Sequence, residues 1–182
     1  SIRKAIELRP NYVEAIRTLT QLEIANGNWQ EAIHGAQLAA QANPQEFSGH
    51  MRLAECHMRM KQFPEAIVAF QAALAIEADH LVALNGLGLA YKAVLKLDEA
   101  EKTLARVIEL DPQNFPALAN LGTVYQGQKN FDKAIEKYRE AIKLKPDSAE
   151  AHNNLGGALK EQGELEDARV HCEKAIELKP DL

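Results

Sequence analysis

The amino-acid sequence predicts an all-α chain, a solenoid in which antiparallel helix pairs stack one after another. Three observations carry this expectation. Prolines stand at Pro10, Pro44, Pro112, Pro146 and Pro180, each 34 residues or twice that from the next, with Ala78 as the missing member of the series. Leu19, Leu53, Leu87, Leu121 and Leu155 keep the same spacing, as do Ala32, Ala66, Ala100, Ala134 and Ala168. A fixed period of this length marks a repeat architecture whose units bury their apolar faces on their neighbours. Within a period the apolar residues follow helical spacing, and no segment alternates with the period of two that a strand requires.

The period places a half repeat over residues 1–10 and five full repeats over 11–44, 45–78, 79–112, 113–146 and 147–180, read as one domain over residues 1–182. In the fourth repeat Leu118, Leu121, Gly122 and Tyr125 form one helical stripe, and Ala134, Tyr138, Ala141 and Ile142 form a second. The break near Lys129-Asn130 is too short for a crossover, so the two helices must fold back on each other. Proline inside a helix costs about 3 kcal/mol, whereas in the first turn it costs little. Pro64 and Pro116 fall in first turns and the other five prolines fall between repeats, so all of them agree with the assignment. Asn114 and Asp147-Ser148 stand where a following helix needs an N-cap, and Gly27 and Gly163 stand where a first helix must stop. Trp29, Phe63 and Phe131 open second helices, Phe70 and Tyr138 fill the larger gaps, and Gly88, Gly122 and Gly156 are small where helices cross.

In this frame the residues resemble the tetratricopeptide repeat family, whose signature runs Leu-Gly, Tyr, Ala, an aromatic, Ala and Pro. The fourth repeat carries Leu121-Gly122, Tyr125, Ala134, Tyr138, Ala141 and Pro146. The third carries Leu87-Gly88, Tyr91, Ala100 and Pro112, and the fifth Leu155-Gly156, Ala168, Ala175 and Pro180. The resemblance covers essentially the whole chain and implies a right-handed superhelix with the first helix of each pair on its concave side. Thr20, Glu23 and Ala36 replace the family's Gly, Tyr and aromatic, and His57 takes a Tyr place, so looser packing is expected in the first two repeats. Glu23 and His57 hold equivalent places and are expected to meet as a buried polar pair. No further helix follows Pro180-Asp181-Leu182, so the apolar side of the fifth repeat, with Ala158, Leu159 and Ile176, is expected to be partly bare or to meet another molecule.

The resemblance also implies which residues face the groove. Its N-terminal part takes Arg17, Gln21, Met51, Arg52 and Glu55, with Glu14 opposing the arginines. The middle is small and apolar, with Val82, Asn85, Leu89 and Ala119 beside Gly86 and Pro116. The C-terminal part is uncharged, with Asn120, Thr123, Asn153 and Asn154. An asparagine side chain accepts and donates, so a row of them can pair with the backbone of an extended peptide whatever its side chains. Asn120 and Asn154 share one repeat position and resemble the asparagine ladder of O-linked N-acetylglucosamine transferases, although Gly86, Arg52 and Thr18 stand at the earlier rungs. The carboxylate clamp of chaperone-binding relatives is not reproduced, since Arg17, Gln21, Arg52, Val82 and Gly86 occupy its places.

Composition narrows the function further. The net charge of −5 arises from 26 acidic and 21 basic residues mixed along the chain, without the basic face of a nucleic-acid binder. No apolar run approaches the roughly 18 residues of a membrane span. The absence of an initiating Met suggests a fragment. Cys56 and Cys172, the only cysteines, offer no disulfide framework, and a cytoplasmic setting is expected. The segment from Met51 to Met60 holds all three methionines with Cys56 and His57, yet on one helix those two side chains point about 100° apart, so no metal site is expected. Gly86-Leu87-Gly88 lies within a helix and makes no dinucleotide loop. No catalytic signature is present, and neither enzymatic activity nor a cofactor is expected. The function expected is an interaction scaffold that holds an extended segment of a protein or peptide. Two alternatives are the substrate-presenting repeat region of a larger glycosyltransferase or sulfotransferase, and a self-assembly module that associates through uncapped repeat ends.

Overall fold

The structure, a computed structural model, describes residues 13–179; the half repeat at 1–10 with Pro10, and the final Pro180-Asp181-Leu182, lie outside the described residues. Among the described residues ten helices follow in order: α1 Val13–Ala25, α2 Trp29–Ala42, α3 Phe47–Arg59, α4 Phe63–Ile76, α5 Leu81–Ala93, α6 Leu97–Leu110, α7 Phe115–Gly127, α8 Phe131–Leu144, α9 Ala149–Gln162 and α10 Leu165–Leu178. No strand occurs among the described residues. The chain divides into two compact units at Val94 and Leu95. In the first, α1 packs on α2, α2 on α3, α3 on α4 and α4 on α5, and in the second α6 to α10 pack in succession in the same way.

The short breaks between helices have a common geometry. Gly27, Lys61, Leu95, Lys129 and Gly163 all have positive φ, at 74°, 56°, 60°, 60° and 92°, and they recur every 34 residues. A left-handed residue just past a helix lets the chain turn back while its amide satisfies carbonyls of the last turn. Gly163 does so through its N–H to Lys160 O at 3.1 Å. Only two of the five positions are glycine, which is why the sequence exposes only Gly27 and Gly163 as stops.

Helix starts follow the expected chemistry. Asn114 Oδ1 accepts from the Ala117 amide at 3.1 Å, and Ser148 Oγ accepts from that of Ala151 at 3.2 Å. Pro64 and Pro116 lie in the first turns of α4 and α7, and Pro44, Pro112 and Pro146 lie between helices. Small residues line the crossings: Ala32, Ala66, Ala100 and Ala134 are fully buried. A Cβ on Gly122 would stand 2.5 Å from the Tyr138 ring, and one on Gly156 would stand 2.6 Å from Cys172 Sγ.

Three expectations are corrected in whole or in part. Glu23 and His57 do not pair: Glu23 Oε2 accepts from Asn28 Nδ2 at 2.7 Å, and His57 Nδ1 bonds Gln62 Oε1 at 2.7 Å. Each satisfies itself five residues on, at the start of its partner helix, so equivalent repeat places serve equivalent local bonds. The apolar side of the fifth repeat is partly bare, at Ile176 with 58% exposure, but Ala158 and Leu159 are fully buried and take no part in the bare surface. Of the substituted places in the first two repeats, Thr20 at 0%, Ala36 at 1% and His57 at 6% exposure are buried, and Glu23 is half-buried. Thr20 can be buried because its hydroxyl donates to Ile16 O at 2.7 Å within its own helix.

Candidate functional site

The candidate residues lie on first helices of the pairs, α1, α3 and α5 in the first unit and α7 and α9 in the second. In the first unit a depression of about 460 Å³ opens across α1, α3 and α5. Ile24, Phe47, Met51 and Val82 give it apolar walls, and Gln21, Ser48, Arg52, Glu55 and His80 give it polar ones. Val82 stands 62% exposed, whereas Met51 is only 8% exposed and belongs to the core with Ala54, Phe70 and Leu87. Met51 therefore forms the floor of the depression. Gly86 is also removed from the free face, because a Cβ there would stand 2.3 Å from the Phe70 ring. Leu89 and Asn85 are half-buried on α5.

The two arginines of this unit differ. Arg17 is held by Glu14, with Nη1 at 3.2 Å from Oε1, and by Glu46, which also accepts from Asn43 and Ser48. Arg52 makes no ion pair with any described residue, and neither does Glu55 one turn further along α3. Arg59, at the end of α3, lies over the Trp29 ring with its guanidinium 5.8 Å from the centroid. On the same helix Cys56 is fully buried, and burial, reinforced by Glu55 and opposed by Arg52, pushes its thiol up to about 11. A thiol so held stays protonated and is a poor nucleophile or ligand at neutral pH.

Sequence reasoning missed Ile24, Phe47 and His80. The His80 ring packs on Phe47 with centroids 4.3 Å apart, and its Nδ1 accepts from the Ala83 amide at 3.3 Å as the cap of α5. A backbone amide can only donate, so the neutral ring carries its proton on Nε2. The usable signal was a histidine directly before a helix start, one residue ahead of the apolar stripe.

In the second unit Ala119 and Asn120 are half-buried on α7, and Thr123 Oγ1 donates to Asn120 O at 2.7 Å. Asn153 is exposed and Asn154 half-buried on α9. Asn153 edges a second depression, of about 390 Å³, with Gly157, Lys160, Leu165 and Cys172. Of the two proposed rungs, Asn120 already has a partner in the fold. Among the described residues no three His, Cys, Asp or Glu side chains gather as a metal site would require, and no helix is long and apolar enough to cross a membrane.

Sequence profiles of tetratricopeptide repeats match residues 5–80, 58–124 and 149–182, and a TPR repeat profile matches 127–163. Together they run through all five repeats. The chain is a tetratricopeptide repeat protein. Solved structures agree with this TPR assignment. MamA from Desulfovibrio magneticus RS-1 superposes with a TM-score of 0.87 at 21% identity, covering 92% of this chain and 95% of that one. A crystal structure of MamA gives 0.82 at 25% identity over 88% and 94% of the two chains. YrrB, described as a TPR protein with an unusual peptide-binding site, gives 0.78 at 19% identity over 100% and 93%. These likenesses establish the TPR fold. No curated protein matches the sequence.

Proposed function

We propose that this TPR protein is an interaction scaffold that takes an extended peptide segment on the face of its first helices and performs no chemistry itself. The observation that carries the reading is the depression across α1, α3 and α5, where apolar walls meet a half-buried arginine that makes no ion pair among the described residues. Such a mixture of apolar floor and a few convergent polar groups suits a bound side chain and the backbone around it. Asn153 and Asn154 on α9 offer backbone-pairing groups in the second unit. The description of YrrB as peptide-binding supports the same use of this fold. The two free thiols suit a reducing, cytoplasmic setting. The asparagines shared between α7 and α9 would equally serve a substrate-presenting region of a larger enzyme, a case the full reading frame decides.

Selection from a displayed library of random 12-residue peptides tests the proposal. Enrichment of peptides whose binding falls on Val82→Asp supports it. Enrichment of none, or of peptides indifferent to Val82→Asp and to Asn153→Ala with Asn154→Ala, overturns it.

Self-association is a second reading, favoured by the exposure of Leu165, Val170 and Ile176 on α10, at 64%, 55% and 58%. Light scattering that stays monomeric at all concentrations would remove it.

A further inference from the structure

The depression in the first unit has a chemistry of its own that goes beyond peptide binding in general. We infer that it selects a segment in which one large aliphatic or thioether side chain stands beside a single carboxylate. The inference rests on the scaffold reading and names the partner for that site.

The apolar part comes from four residues on three helices. Ile24 of α1, Phe47 and Met51 of α3 and Val82 of α5 converge on one depression. Val82, at 62% exposure, is the outward edge, and the thioether of Met51 beneath can adapt its shape to what sits above it. About 460 Å³ of open space takes one large side chain together with the backbone on either side.

The charge pattern chooses the neighbour. Two arginines belong to this face, but Glu14 and Glu46 already hold Arg17, so it offers no net attraction. Arg52 lines the depression itself, half-buried, with no ion pair among the described residues. Its planar fork of N–H donors matches a carboxylate in two parallel bonds. Glu55, exposed and one turn further along α3, also lines the depression. Its charge admits one acid at Arg52 but repels a second, and it disfavours the doubly charged phosphate of a phosphoserine. The occupant is therefore an apolar residue with one Asp or Glu beside it.

Parallel selections from the 12-residue library with the parent chain and with Arg52→Glu test this, with circular dichroism confirming that the variant keeps its helices. The parent is expected to enrich peptides pairing a Leu, Ile or Met with an adjacent Asp or Glu. Arg52→Glu is expected to lose those peptides and to enrich Lys or Arg at the same place. For a selected peptide, Arg52→Gln should weaken binding about tenfold, and replacing the acid by phosphoserine should not tighten it. The same motif from both proteins, a parent motif without an acid, or tighter binding of the phosphoserine peptide would each sink the inference while the scaffold reading stood. Failure to enrich any peptide would end both.

Discussion

The Nδ1 atoms of His152 and His171 lie 2.9 Å apart and join α9 to α10 through one hydrogen bond. Pro146 O, which can only accept, sits 3.1 Å from His152 Nε2. His152 therefore carries its proton on Nε2, and His171 must donate from Nδ1. The same device recurs three periods earlier, where His50 Nε2 lies 3.0 Å from Pro44 O, so a histidine early in a first helix can tether the turn before it.

The pair makes this region sensitive to acid. Burial, then His152 and Arg139, hold His171 below its ordinary value of 6.5, while Asp167 opposes them. A histidine whose value is lowered by folding binds protons more readily when unfolded, so its stabilising effect is complete above 6.5 and declines as pH falls below it. The melting temperature should be flat from about pH 8 to 7 and then drop toward pH 5. In His171→Gln the drop over that interval should be smaller; an unchanged slope would show that another group is responsible.

Close glycine contacts should be intolerant of a methyl group. Gly122→Ala forces Cβ against the buried Tyr138 ring, and Gly156→Ala meets both Cys172 Sγ and the Ala168 carbonyl, at 2.6 and 3.1 Å. Each should cost about 1–3 kcal/mol in urea unfolding. Adding Cys172→Ala to Gly156→Ala should recover part of the loss but not all, because the carbonyl remains.

The left-handed turn residues should respond in opposite senses. Gly27→Ala and Gly163→Ala meet no atom within 4 Å, so their cost is purely conformational, about 1 kcal/mol each. Lys61→Gly, Leu95→Gly and Lys129→Gly relieve the same strain and should gain roughly 0.5 kcal/mol after the greater freedom of glycine in the unfolded chain is counted. Chemical denaturation of the five single variants measures the contrast directly.

Cap removal gives a local control. Asn114→Ala and Ser148→Ala delete acceptors for the Ala117 and Ala151 amides and should each lower stability by about 1 kcal/mol, with faster amide exchange confined to the first turns of α7 and α9.

Repeat length, helix pairing, proline placement and the small residues at crossings were legible in the sequence, because each depends on local spacing that recurs every 34 residues. Gly122 and Tyr138, or Pro64 and Pro116, could be assigned from phase alone. What phase cannot reveal is which of several nearby partners a polar or flexible side chain takes. Glu23 and His57 occupy one repeat place and each found its partner in its own pair; Arg17 was neutralised by Glu46 from the next repeat, while Arg52 makes no ion pair among the described residues. Met51 sank into the core, and Phe47 and His80 came to wall the depression. The difference is physical. Backbone geometry and apolar periodicity are set by residues close in the chain, whereas the character of a binding face depends on side chains from three helices competing for the same space and the same charges.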